Sequence, residues 1–187
     1  MKYSGTIFAI CAIFLSASSF AAETAVPGAM LFIYNMQKGT LPPPNADPVE
    51  VTADTGKTFS RDVLAAGAET RRLLREKLFM VWKGYISVPE DGEYTLSMSY
   101  NTRSIGHDDH ATLFVDGKSV LEIASGRNFR IADARSLPLS RGAHEIAIVY
   151  RTHPLPFRGV CVSLAMWNRK TPFRKMSVTP RTMTHAE

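Results

Sequence analysis

Glu93-Tyr94-Thr95-Leu96-Ser97-Met98-Ser99-Tyr100 decides the fold. Tyr94, Leu96, Met98 and Tyr100 alternate with polar or small side chains, and a period of two places all four on one face of an extended chain. The stretch predicts a strand with one buried face and one wet face. The same period continues downstream. Leu113 and Val115 precede Asp116-Gly117, a strong hairpin signal between apolar runs, and Val120, Leu121 and Ile123 resume the pattern beyond it. Ile146, Ile148 and Tyr150 alternate after the turn at Arg141-Gly142, and Val160, Val162, Leu164 and Met166 lead into Trp167. Strands at this spacing, joined by short turns from Leu78 to Trp167, predict an antiparallel β-sandwich.

Upstream, Met30-Leu31-Phe32-Ile33-Tyr34 reads as a first strand, and the four prolines between Thr40 and Pro48 mark an extended surface loop. Ser60 is a candidate cap for a helix running to about Lys77. Asp62 would sit in its first turn, with Arg71, Arg72 and Arg75 towards its end. Val63, Leu64, Leu73, Leu74 and Leu78 suffice to lay one side on a sheet, whereas Gly67 weakens the helix. The expected fold class is therefore all-β, an antiparallel β-sandwich with one short helical insert.

The chain has 187 residues, 45% of them apolar and 10% aromatic, which excludes disorder and favours one domain large enough to bury a core. Met1, Lys2 and Tyr3 lead into the apolar run from Thr6 to Leu15, followed by small residues up to Ala22. This pattern predicts a secretory signal peptide over residues 1–21, with Ser19 and Ala21 meeting the small-x-small cleavage rule and the Ala22-Glu23 bond as the rival site. The apolar run is too short to span a bilayer, and no later one is longer, so no transmembrane segment is expected in the mature chain. Export to the periplasm, the cell surface or the medium follows. Cys11 leaves with the signal, so stability after Ala21 must come from packing around the lone Cys161.

Enzyme signatures are missing. The chain contains no Gly-x-Ser-x-Gly, and His144-Glu145 lacks the second histidine of a zincin helix. Asp116-Gly117-Lys118-Ser119 lacks the upstream glycine of a phosphate loop, and a hairpin explains it better. Cys161, with His153 as its conceivable base, alternates with Ser163 and Ala165 as a packed strand residue would. Seven Lys/Arg and no acid lie between Ile146 and Ala186, so a basic tail is expected from about residue 168. It would meet an anionic envelope surface or an acidic partner, or simply form a solvated edge. No basic helix or aromatic RNA-binding strand motif points to nucleic acid.

Trp82-Lys83-Gly84-Tyr85-Ile86-Ser87-Val88-Pro89 followed by Asp91-Gly92-Glu93-Tyr94-Thr95-Leu96 resembles the opening of the domain family named after the amino-terminal part of anthrax protective antigen. The later motifs are His107-Asp108-Asp109-His110, Leu113-Phe114-Val115-Asp116-Gly117-Lys118, Leu139-Ser140-Arg141-Gly142-Ala143-His144-Glu145-Ile146 and the closing Leu164-Ala165-Met166-Trp167. Order and spacing hold from Phe79 to Trp167, and Met30 to Tyr34 fits the family's first strand. The resemblance implies a β-sandwich module of the kind found in toxins, glycosidases, flocculins and other adhesins, often binding carbohydrate. Two departures are the helix-prone insert at Ser60 to Lys77 and His110, where sugar-binding members place a small residue after the acidic pair.

Asp108-Asp109 carries the chemistry. Two adjacent carboxylates with loop carbonyls are the hard oxygen donors that Ca²⁺ prefers, provided a tight turn or a cis peptide brings both to one ion. In the flocculin-like lectins of this family the matching pair holds calcium that in turn takes sugar hydroxyls. The resemblance thus implies Asp108 and Asp109 as metal ligands, with His107 and His110 flanking the ligand site. A polar loop whose carboxylates cap local backbone amides is the competing reading, and Zn²⁺ held by both imidazoles and both carboxylates is a third. Trp82, Tyr85, Tyr100 and Trp167 offer rings for stacking on sugars, although alternating aromatics more often pack the core. The expectation is an exported, non-enzymatic, adhesin-type carbohydrate-binding module, calcium-dependent, whose partner is a glycan or another cell-surface component. The alternative is an accessory subunit that assembles with other envelope or appendage subunits and binds no glycan.

Overall fold

Leu78-Phe79-Met80-Val81-Trp82 is apolar at every position, as expected of a strand covered on both faces, and it opens the 11-residue strand Leu78–Val88. In the computed structural model, which describes residues 26–35, 41–57, 59–60, 64, 70–101, 110–124, 130–152, 161–170 and 176–185, that strand lies at the middle of the larger of two sheets. The strands are β1 (Val26–Pro27), β2 (Ala29–Asn35), β3 (Glu50–Asp54), β4 (Phe59–Ser60), β5 (Leu78–Val88), β6 (Gly92–Asn101) and β7 (His110–Val115). They continue as β8 (Lys118–Ala124), β9 (Arg130–Leu139), β10 (Gly142–Thr152), β11 (Cys161–Asn168), β12 (Met176–Val178) and β13 (Thr184–His185). Residues 1–21, expected from the sequence to be a signal peptide, lie outside the described residues.

Sheet A runs β1-β13-β5-β10-β7-β8, with β2 also on β5 and β3 on β2; sheet B runs β12-β11-β6-β9, with β4 on β11. Every pairing among the described residues is antiparallel. The inward residues of both sheets, among them Leu31, Ile33, Trp82, Leu113 and Ile148 from sheet A and Leu96, Met98, Val162 and Leu164 from sheet B, form one core. The expected all-β sandwich is thus observed.

Sheet A departs from the one-wet-face pattern. Phe79, Val81, Phe114, Ala147 and Val149 form a second buried cluster on its outer side, with Phe32, Tyr34 and Leu41 packed against it. Register explains the continuity, because Phe32, Val81 and Val149 are successive cross-strand partners. The Lys83 ammonium caps the same face 5.5 Å from the centroid of the Phe32 ring.

Of the expected helical insert, the described residues Thr70–Arg75 form a six-residue 3-10 helix. Ser60, expected to cap it, instead ends β4 and pairs with Cys161. Burial overrides the capping preference here. Phe59 is fully buried and meets Trp82 edge-on, with centroids 5.7 Å apart, and this contact holds the Phe59-Ser60 dipeptide on the sheet.

The basic carboxy-terminal segment is woven into both sheets. β12 pairs with β11 of sheet B, and β13 pairs with β1 and β5 of sheet A. Between them Thr179 caps a short 3-10 helix, Pro180–Thr182, through a capping box. Val178 and Met183 are buried, while Arg169, Lys170 and Arg181 face solvent. Those charges form a solvated edge along a packed segment. Among the described residues no helix is long and apolar enough to cross a membrane.

Candidate functional site

Four connections gather at one end of the sandwich. β5 begins at Leu78, which pairs with Asn35 at the end of β2 and Thr152 at the end of β10. Arg151 pairs with His110, the first residue of β7, and His110 pairs with Ala124, the last of β8. In sheet B, Asn101 ends β6 opposite Cys161, the first residue of β11. The strand ends Asn35, Leu78, Asn101, His110, Ala124, Thr152 and Cys161 therefore lie along a common rim. His107, Asp108 and Asp109 belong to the connection between β6 and β7 and lie outside the described residues.

His110 is described. Strand alternation directs Ala111, Leu113 and Val115 into the core and His110, Thr112 and Phe114 to the outer face of sheet A. The ring is 6% exposed, and its Nε2 lies 2.6 Å from Oε1 of Glu122, to which Nε2–H donates. Thr112 Oγ1 lies 3.4 Å from Nδ1. The exit strand of the acidic loop is thus pinned by a histidine with both ring nitrogens partnered. Nearby at the same rim, burial pushes the Tyr34 hydroxyl above its ordinary pKa. Among the described residues no group of three or more His, Cys, Asp or Glu is arranged to hold a metal ion.

The aromatic residues divide. Trp82 and Tyr94 are fully buried, and the Tyr94 hydroxyl donates to the Glu90 carbonyl at 2.9 Å. Tyr85 and Trp167 are half-buried on outer faces, and the side chain of Tyr100 lies outside what is described. Trp82 also carries a contact that the sequence did not disclose. Its indole Nε1–H donates to Oδ2 of Asp54 at 2.7 Å, and the Gly56 amide donates to Oδ1 at 2.8 Å, so a carboxylate only 3% exposed has both oxygens satisfied.

The opposite end of the sandwich is tied by polar groups from several turns. Asp116 and Gly117 have φ of 48° and 74°, the positive pair that a two-residue hairpin of the primed type needs. Asp116 Oδ1 accepts the Glu145 amide at 3.0 Å, and Oδ2 lies 2.7 Å from Nδ1 of His144. Asp91 accepts the Arg141 amide at 2.6 Å, and Asn168 donates to Glu90 at 2.9 Å. Sequence reading found the turn at Asp116-Gly117 but not its tie to His144, 28 positions away, because nothing local encodes it.

The family model of the PA14 domain matches residues 75–153. Among solved structures, an anti-sigma factor domain-containing protein superposes with a TM-score of 0.60 at 14% identity, over 90% of this chain and 51% of that one. The PA14 sugar-binding domain from an RTX adhesin gives 0.54 at 13% identity, over 87% of this chain and 100% of that one. The Epithelial Adhesin 9 A domain from Candida glabrata, solved in complex with Galβ1-4GlcNAc, gives 0.54 at 8% identity, over 87% of this chain and 91% of that one. The chain spans about half the length of the anti-sigma factor structure, and at such identities the likeness is one of fold. No curated protein sequence matches the chain.

Proposed function

Because the family model of the PA14 domain matches residues 75–153, we propose that the chain is a carbohydrate-binding recognition module of the adhesin type. The observation that carries this reading is its fold likeness, over the whole of that domain, to the sugar-binding PA14 domain of an RTX adhesin. The module binds and does not catalyse. Its site is the rim at which β6, β7, β10 and β11 meet, with Asp108 and Asp109 holding Ca²⁺. The donor set fits that ion: two carboxylates and neighbouring carbonyls are hard oxygen ligands, and His110 already spends its ring on Glu122 and Thr112. When bound, the ion supplies open coordination positions for sugar hydroxyls, while His107 and His110 flank the ligand. Export by the segment 1–21 brings the module to the periplasm, the surface or the medium, where a glycan or other cell-surface component is its partner.

Melting of the native protein with Ca²⁺ and with chelator, followed by a glycan screen of native protein and Asp109→Ala, tests this. A ligand at about 100 times its Kd stabilises the fold by about 2.7 kcal/mol, and for a chain of this size each kcal/mol raises Tm by roughly 2–4 °C. The expected result is a Ca²⁺-dependent rise of about 5–10 °C, with glycan signal in the native protein and neither effect in Asp109→Ala. No shift and no glycan signal would leave the chain as an accessory subunit of a surface assembly.

A further inference from the structure

His144 presents both ring nitrogens to oxygen atoms that have no proton to give. Nδ1 lies 2.7 Å from Oδ2 of Asp116, and Nε2 lies 2.8 Å from the carbonyl oxygen of Ser140. A neutral imidazole has one N–H and one lone pair, so either tautomer sets a nitrogen lone pair against an oxygen lone pair. The imidazolium donates to both. The Ser140 hydroxyl is the one alternative donor among the described contacts of the ring, and at 3.5 Å from Nε2 it is at the limit of a hydrogen bond. With the residue 8% exposed, water has little access to replace either partner.

The two acceptors stand on different turns. Asp116 precedes β8 and is itself held by two contacts with Glu145, accepting that residue's amide and donating its own to the Glu145 carbonyl, each at 3.0 Å. Ser140 lies in the turn before β10, where the next residue, Arg141, gives its amide to Asp91. We propose that His144 is a pH-dependent clamp, which as an imidazolium ties the β7–β8 turn to the β9–β10 turn and lets go of one of them when it loses a proton.

The groups around the ring favour this. Asp116 is the charged group that faces it from the β7–β8 turn, and the partner on β5 is the apolar Ile86. Strand alternation turns Glu145 of β10 to the opposite face, and Lys118, Arg141 and Asp91 are solvent-exposed residues of the neighbouring turns. Burial of the ring works against its charge, but the hydrogen bonds to Asp116 and to the Ser140 carbonyl, together with the Asp116 charge, outweigh burial and raise the pKa above the ordinary 6.5. A histidine whose pKa is raised on folding contributes stability that is complete below the unfolded value. That contribution is lost as pH climbs through the folded value, so the clamp is closed in mild acid and open in mild alkali.

The test uses the full chain in two measurements between about pH 5 and about pH 9. Long-range nitrogen–proton spectra follow the ring nitrogens, with the His144 signals assigned by their loss in His144→Gln, while melting curves follow stability. Both His144 nitrogens should carry protons at the acid end of this range and the ring should titrate above 6.5, with the midpoint moving down in Asp116→Asn. The native Tm should fall by about 2–4 °C more over this range than that of His144→Gln. A ring that titrates at or below the ordinary value, or an equal fall in Tm for both proteins, overturns the clamp. If His144→Gln does not fold, assignment passes to scalar couplings, and the native and Asp116→Asn ring titrations decide alone.

Discussion

Trp82→Ala is expected to cost about 3–5 kcal/mol, the range for removing a large buried aromatic side chain, which is a large part of the roughly 5–15 kcal/mol that holds a typical domain folded. Trp82 is fully buried between its strand neighbours Leu31 and Ile148, with Phe59 edge-on against its ring. Truncation opens a cavity and strands Asp54 as well, a carboxylate 3% exposed whose Oδ2 then has no donor. Trp82→Phe separates the two effects, because it keeps most of the ring and removes the indole N–H. It should cost about 1–3 kcal/mol, the usual penalty for leaving a buried polar group unsatisfied. Urea unfolding followed by the remaining Trp167 reads both variants. In a double-mutant cycle with Asp54→Ala, the pair should couple by about 1 kcal/mol or more. Additive losses would show that the indole–carboxylate contact contributes nothing of its own.

That contact also marks where local reading of the chain stops. Strands β6, β7, β8, β10 and β11 are legible because a half-buried strand writes its period of two into adjacent residues, and the Asp116-Gly117 turn is legible because few other dipeptides accept positive φ at both positions. Ser60 misleads because its preference for a helix cap is a local term of about 1 kcal/mol, smaller than the gain from burying the neighbouring Phe59 ring completely. The carboxy-terminal strands escape because β12 has three residues and β13 two, too short for any period, and the charges around them draw attention from Val178 and Met183. The outer cluster of sheet A is only half legible. The unbroken run Leu78 to Trp82 announces a strand covered twice, yet nothing local says that Phe114 and Val149 join it. Asp108 and Asp109, outside the described residues, are visible as chemistry alone. The partners that the structure adds, Glu122 for His110 and Asp116 for His144, come from the sheet register and from one turn meeting another.

Gly84→Ala is expected to destabilise the fold by about 1–3 kcal/mol, the usual cost of overpacking, and to do so by displacing the carboxy-terminal segment. The sign is informative. Glycine inside a strand is itself unfavourable by about 0.5–1 kcal/mol relative to alanine, so with open space at this position the substitution would stabilise. Here a Cβ on Gly84 would stand 2.8 Å from the Thr184 carbonyl oxygen, 3.0 Å from the Met183 terminal methyl and 3.3 Å from the Met183 Cβ. The methyl can swing away, but the carbonyl belongs to the backbone of β13, which pairs with Tyr85 and with β1. The Met183 carbonyl also accepts the Gly28 amide at 2.8 Å, so the strand cannot retreat without breaking that bond too. Relief therefore comes from lifting residues 183–185 off sheet A, which exposes Met183, now 1% exposed. Hydrogen exchange reads this locally: amides of β13 and of Gly28 should lose protection in Gly84→Ala while those of β6 and β11 in sheet B keep theirs. A variant as stable as the native chain, with its carboxy-terminal amides equally protected, would mean that the third residue of Trp82-Lys83-Gly84-Tyr85 is not there to admit the closing segment.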